Sequence, residues 1–231
     1  LNMDRNSRYG LQETTKESLT ETKRWIEETM NGYGAIKPIL TPRYTPTCTD
    51  ECMEGLGKLS VWYHLPVQSH LSEGLDEIEW VKKLKPQISC YGEAYDQYGL
   101  LGSSEPSLMA HVVHPTDVEF ELLTRRNVMV AHCPQSNMNA AGGVAPILDM
   151  VGAGIKVGLG TDMAGGCNLS LMRAMTDRRA NSAGFTPRET GIPSQRNSFL
   201  PSQTLSISQQ KEAGHSLEMS EVSKRIMSLM R

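Results

Sequence analysis

The 231-residue sequence predicts an α/β fold built on a parallel sheet, and three observations carry that prediction. Short apolar runs alternate with amphipathic stretches of helical length, which is the pattern of βαβ units. Several of these runs close on a residue that carries chemistry. The last of them, "KVGLGTDMAGG" at 156–166, reads as a buried strand that ends abruptly in Asp162. A carboxylate there is costly to desolvate without a partner cation.

The elements follow in order. Thr14-Thr15-Lys16-Glu17 has the T-x-x-E form of a capping box, and Leu19, Ile26 and Met30 then share a helical face up to the stop at Asn31-Gly32. "AIKPILTPR" is a short apolar run ending at Arg43, weakened as a strand by Pro38, which removes a ladder donor. Residues 50–63 read as a helix and "LPVQSH" as a strand ending at His70. A helix over 74–85 carries Ile78, Val81 and Leu84, and "SLMAH" is a strand ending at His111. Pro115 and Thr116 open a helix bearing Val118 and Leu122, "NVMVAHC" is a strand reaching His132, and a helix over 144–153 leads into "IKVGLGTD".

Parallel strands deliver their carboxyl ends to one face, and ligands bind beyond that face. The five strand ends here are Arg43, His70, His111, His132 and Asp162. A neutral imidazole is a good zinc ligand, and Glu73, three residues after His70, is placed to shuttle protons. Singly, each residue has a plainer reading. His70 and His111 suit hydrogen-bonded positions, Glu73 a helix start, Asp162 a turn cap and Arg43 a surface ion pair. Jointly, His, Glu, His and Asp at converging strand ends are the residue set of zinc hydrolysis. The loop His132-Cys133-Pro134-Gln135-Ser136-Asn137 suits either a ligand rim or a strand terminator. His64, His114 and His215 have no such context. "GLGTDMAGG" matches neither G-x-G-x-x-G nor the P-loop, so phosphate binding is not expected.

Composition excludes several other classes. A net charge of −3 carries no nucleic-acid footprint or polybasic membrane patch. No apolar run is long enough to span a bilayer. Cys48, Cys52, Cys90, Cys133 and Cys167 form no C-x-x-C pair, which argues against a disulfide framework or structural zinc site and fits a reducing cytoplasm.

Together "KPILTPRYTPTC", "LPVQSHLSE", "MAH", "AHCPQSN" and "VGLGTDMAGG" resemble the amidohydrolase superfamily, and within it the guanine deaminase family. The SHLSE and GTD elements mark the superfamily; TPR and GTDMAGG narrow the likeness. The resemblance implies a zinc-dependent (β/α)8 barrel with a small flanking β-domain that converts guanine to xanthine and ammonia. It further implies that His70 and Asp162 are zinc ligands, that Glu73 is the proton shuttle, and that His111 meets the attacking water or the metal. Arg43, with Tyr44 beside it, would grip the purine in a pocket also lined by His70 and Glu73. Family members are commonly homodimers.

The departures from the family are also legible. No H-x-H pair, which supplies two zinc ligands on the family's first strand, occurs in the chain. By order, Leu1 falls near the end of the third strand, so the fold class expected is a partial (β/α)8 barrel with about five of eight strands. Residues 1–182 would hold it, and the serine-rich stretch 183–231 would be a divergent, disordered tail. The chain alone is expected to be inactive, as the central piece of a guanine deaminase. Two rival readings are a non-catalytic interaction module that keeps the sheet, and an amidohydrolase acting on another aminated or halogenated heterocycle.

Overall fold

The computed structural model describes residues 1–7, 10–32, 34 and 36–175. The expected boundary at 182 and the tail 183–231 lie outside the described residues, as does His215. The helices are α1 (Thr15–Gly32), α2 (Asp50–Tyr63), α3 (Leu75–Leu84), α4 (Glu93–Asp96), α5 (Asp117–Arg125), α6 (Pro134–Asn139) and α7 (Ile147–Gly152). Four strands form one parallel sheet in chain order: β1 (Val67–Leu71), β2 (Ser107–His111), β3 (Met129–His132) and β4 (Lys156–Leu159). Helices cross over between every consecutive pair, as parallel pairing requires.

The run ending at Arg43 lies parallel to β1 but bridges it only at Leu40–Val67, with Gln68 N donating to Leu40 O at 2.8 Å. Pro38 is the physical reason that the ladder does not extend backwards. On its far side Asn2 bridges Pro42 in parallel, and Arg43 N donates to Asn2 O at 3.2 Å. The first residues therefore lie where a preceding strand would run.

Leu71 of β1, Met109 of β2 and Val130 of β3 are fully buried in one core cluster with Val81 of α3 and Leu122 and Leu123 of α5. Gly57 of α2 sits so close to the chain at Tyr98 that an added Cβ would lie 2.1 Å from the Tyr98 carbonyl oxygen. Cys48, Cys52, Cys90 and Cys133 are buried thiols and Cys167 is exposed. Among the described residues no helix is long and apolar enough to cross a membrane.

Three sequence expectations are corrected. The buried stripe of α1 is Ser18, Ile26 and Thr29, while Met30 is 51% exposed; the polar edge contributed by Asn2, whose side chain donates to Ser18 Oγ at 2.8 Å, shifts the stripe by one position. In α5 the inward residues are Glu119, Leu122 and Leu123, whereas Val118 is 48% exposed. And β4 is not a buried strand: Lys156 and Gly158 are exposed and Val157 and Leu159 half-buried. Among the described residues β4 is the sheet's edge, and Asp162 follows it in irregular backbone with φ 44°.

Met109→Ala is expected to cost about 2–5 kcal/mol by opening a cavity in the central strand. Gly57→Ala should cost about 1–3 kcal/mol by overpacking. Met138→Ala, at a 54% exposed position, should stay within about 0.5 kcal/mol. Shifts of the urea midpoint check all three.

Candidate active site

Two imidazoles come together where the strands end. His70 pairs with Ala110 and Leu71 with His111, a register that in regular strands would point the two rings to opposite faces; His111, at φ 72°, leaves strand geometry, and the rings meet. Their rings stack at 5.3 Å between centroids and 15° between planes. His70 Nδ1 lies 2.6 Å from the Arg43 carbonyl oxygen. A carbonyl only accepts, so Nδ1 carries a proton, which in the neutral ring leaves the lone pair on Nε2. His111, 1% exposed, has Nδ1 at 2.8 Å from Asn137 Oδ1, which directs its Nε2 in the same way. The Asn137 amide nitrogen is itself buried without a hydrogen-bond partner among the described residues. Tyr95, also fully buried, donates to the His70 carbonyl at 2.7 Å and fixes the end of β1 from below.

Glu73 returns over this pair, its Oε2 3.6 Å from His111 Nε2. The turn that aims it is made by Ser72, at φ 49° and 1% exposed, whose hydroxyl donates to Glu119 Oε2 at 2.7 Å. Glu119 Oε1 accepts from Gly92 N, also at 2.7 Å. Burial pushes the Glu119 carboxyl up to about 7, with the bonds from Ser72 and Gly92 pulling the other way.

Asp162 is half-buried in the loop after β4. It shares a neighbour with Glu73: burial pushes the Cys133 thiol up to about 12, and the charges of Asp162 and Glu73 both add to that shift. Arg43 is exposed, with its guanidinium 5.3 Å above the Tyr44 ring, and it makes no ion pair among the described residues. Tyr44 packs edge-on against Trp80 at 6.4 Å. His132 is buried below the rim.

In their neutral form these imidazoles would turn Nε2 lone pairs outward, and with the nearby carboxylate they fit a zinc ion in chemical kind. They do not form a closed ligand set: among the described residues only Asp4, Cys48 and Cys52 bring three ligand atoms within 4.8 Å of one another. That second cluster is already satisfied. Asp4 accepts from the Thr49 amide and from the Thr15 and Thr49 hydroxyls, and Cys48 Sγ donates to Asn2 O at 3.2 Å. It fastens the starts of α1 and α2 to the first residues. Of the polar groups around the imidazoles, sequence reasoning read 132–137 as a loop suited to a ligand rim or a strand terminator, where Asn137 in fact lies in α6, and it passed over Tyr95 and Glu119. A signal existed for Glu119, because Thr116-Asp117-Val118-Glu119 is a second T-x-x-E box.

Residues 1–194 match the model of the amidohydrolase family. The chain belongs to that family. Amidohydrolases are generally metal-dependent, and their fold is a (β/α)8 barrel, of which the parallel four-stranded sheet is a part. Among curated amidohydrolases, the guanine deaminase of Dictyostelium discoideum is 41% identical over 76% of this chain and 39% of its own length. That of Mus musculus is 40% identical over 73% of this chain and 36% of its own length. The solved structure of guanine deaminase from C. acetobutylicum with guanine bound in the active site superposes with a TM-score of 0.77. It is 44% identical and aligns over 79% of this chain and 43% of that one. The chain thus spans about two fifths of the length of the curated amidohydrolases it matches.

Stability should depend on pH through Glu119. Its carboxyl is raised from 4.5 to about 7 on folding, so between these values the folded chain holds a proton that the unfolded chain has released. The associated stability is complete below pH 4.5 and is lost as pH rises to 7, by up to about 3 kcal/mol. Glu119→Gln should flatten this slope, as read from urea midpoints at a series of pH values; an unchanged slope would assign it to another group.

Proposed function

We propose that the complete protein carrying this chain hydrolyses guanine to xanthine and ammonia, with zinc as its metal. The observation that carries the reading is the stacked His70–His111 pair, each Nδ1 tied down and Glu73 3.6 Å from His111. It lies on the sheet end where Arg43 and Tyr44 also sit. The guanine deaminases among the relatives support the choice of substrate.

His70 and Asp162 would hold the metal together with ligands that this chain, lacking an H-x-H pair, does not supply. Zinc bound there supplies a water acidic enough to lose its proton near neutral pH. Every other part is played by side chains. Arg43 presents a planar fork to the purine carbonyl and ring nitrogen, and the Tyr44 ring packs beside the heterocycle. Asp162 takes the proton that water gives up, and Glu73 delivers a proton to the ring nitrogen next to the carbon under attack. That carbon gains an oxygen and loses its amino group; one water is consumed and one ammonia leaves. Neutral His111, its tautomer set by Asn137, accepts a hydrogen bond at Nε2 or binds the metal there.

In the complete protein, Glu73→Gln is expected to lower guanine turnover by about 10²–10⁴-fold. Its zinc content, measured by elemental mass spectrometry, should not change, whereas His70→Ala should lose zinc. Deamination of a different heterocycle with no action on guanine, in a panel of aminated and halogenated rings, would replace this substrate by another. The 231-residue chain by itself is expected to leave guanine untouched. Strong turnover by that chain, abolished by Asp162→Asn, would overturn the proposed need for further ligands.

A further inference from the structure

The two T-x-x-E boxes of the chain end differently. At α1 the box closes in both directions: Glu17 N donates to Thr14 Oγ1 at 3.2 Å, and Thr14 N donates to Glu17 Oε2 at 3.0 Å. At α5 the first half is made, Glu119 N donating to Thr116 Oγ1 at 3.2 Å. The Glu119 carboxylate then turns inward, is 1% exposed, and spends its two oxygens on Ser72 Oγ and Gly92 N. Withdrawing a carboxylate from water costs several kcal/mol unless its hydrogen bonds compensate. Helix stability alone favours the solvated cap, so the buried placement calls for another cause.

The cause lies in what is held. Ser72 is a non-glycine residue at φ 49°, a conformation that costs about 1–2 kcal/mol. Its carbonyl accepts from Val113 N at 2.9 Å and His114 N at 3.0 Å, both in the loop after β2, and its hydroxyl is tied to Glu119. This left-handed turn sends the next residue, Glu73, back over His111. Gly92 lies close against the same group, since an added Cβ would stand 3.5 Å from Glu119 Oε1, in ordinary contact. One carboxylate thus anchors the loop that follows β1 to α5 and to the backbone before α4.

We propose that Glu119 is a positioning residue for the proton shuttle, holding Glu73 over the imidazole pair through the Ser72 hydroxyl. The proposal rests on the guanine deaminase reading for the role of Glu73, and on the geometry alone for the placement of the loop.

The test is steady-state guanine kinetics on the complete protein. Glu119→Gln should lower kcat by about 10- to 100-fold, the loss that a misplaced catalytic group produces, with KM within about twofold. In a Glu73→Gln background the same substitution should cost less than about twofold, because there is no shuttle left to place. An equal loss in both backgrounds, or a change confined to KM, overturns the proposal. If Glu119→Gln fails to fold, Ser72→Ala, which removes only the donating hydroxyl, is read by the same criteria. Absence of guanine turnover in the wild-type protein would defeat the functional reading and leave the placement to be decided by hydrogen exchange. Glu119→Gln should then speed exchange of amides 71–75 by about tenfold over a Leu123→Val control of matched stability, and equal exchange overturns it.

Discussion

The carbonyl oxygen of Arg43 is the point on which the site depends. It accepts from His70 N at 3.3 Å, from His70 Nδ1 at 2.6 Å and from Ser69 Oγ at 3.1 Å. The first bond continues the pairing of an irregular strand onto β1, and the second selects the tautomer of His70. The third, with Ser69 Oγ also donating to Pro42 O at 2.7 Å, locks the pleat where the strand would otherwise fray. The side chain of the same residue then stands at the rim of the site. Backbone pairing, imidazole chemistry and the candidate purine grip are therefore joined at one peptide group, and a shift of the 40–43 segment would disturb all three.

Backbone strain gathers around the same rim. Ser72, His111, Val112 and Asp162 all have positive φ without being glycine, and all lie at or just past the carboxyl ends of strands. Such conformations persist where surrounding bonds over-determine them, and they re-aim side chains that a regular strand would point elsewhere. For Ser72 those bonds are visible from both sides: two amides on its carbonyl and one carboxylate on its hydroxyl.

Much of this was legible in the sequence. The alternation of apolar runs and amphipathic stretches located the four ladder strands and the crossover helices α3, α5 and α7, though not the short α4 and α6, and the strand-terminal His70 and His111 do meet. What sequence reading could not supply was phase and neighbourhood. In α5, Val118 and Glu119 are adjacent, and apolarity favoured the wrong one, because the buried partner for Glu119 lies 47 residues away at Ser72. For β4, apolar character predicted burial, but burial depends on what flanks an edge strand, which local pattern does not encode. Both T-x-x-E boxes have the same spelling, and only tertiary contacts distinguish a closed cap from one whose carboxylate is used elsewhere. The roles of Arg43, Tyr44, Glu73 and Asp162 came from family likeness; the described geometry is consistent in kind without closing a ligand set.

The distribution of thiols has a practical consequence for anyone handling the molecule. Four of its cysteines are buried, and burial holds the Cys90 and Cys133 thiols at about 11 and about 12, far from the reactive thiolate form. Cys167 alone is exposed, five residues beyond Asp162 on the loop that leaves the sheet. A maleimide dye or spin label applied to the native chain would therefore attach at one place, beside the candidate site, with no cysteine engineered out beforehand.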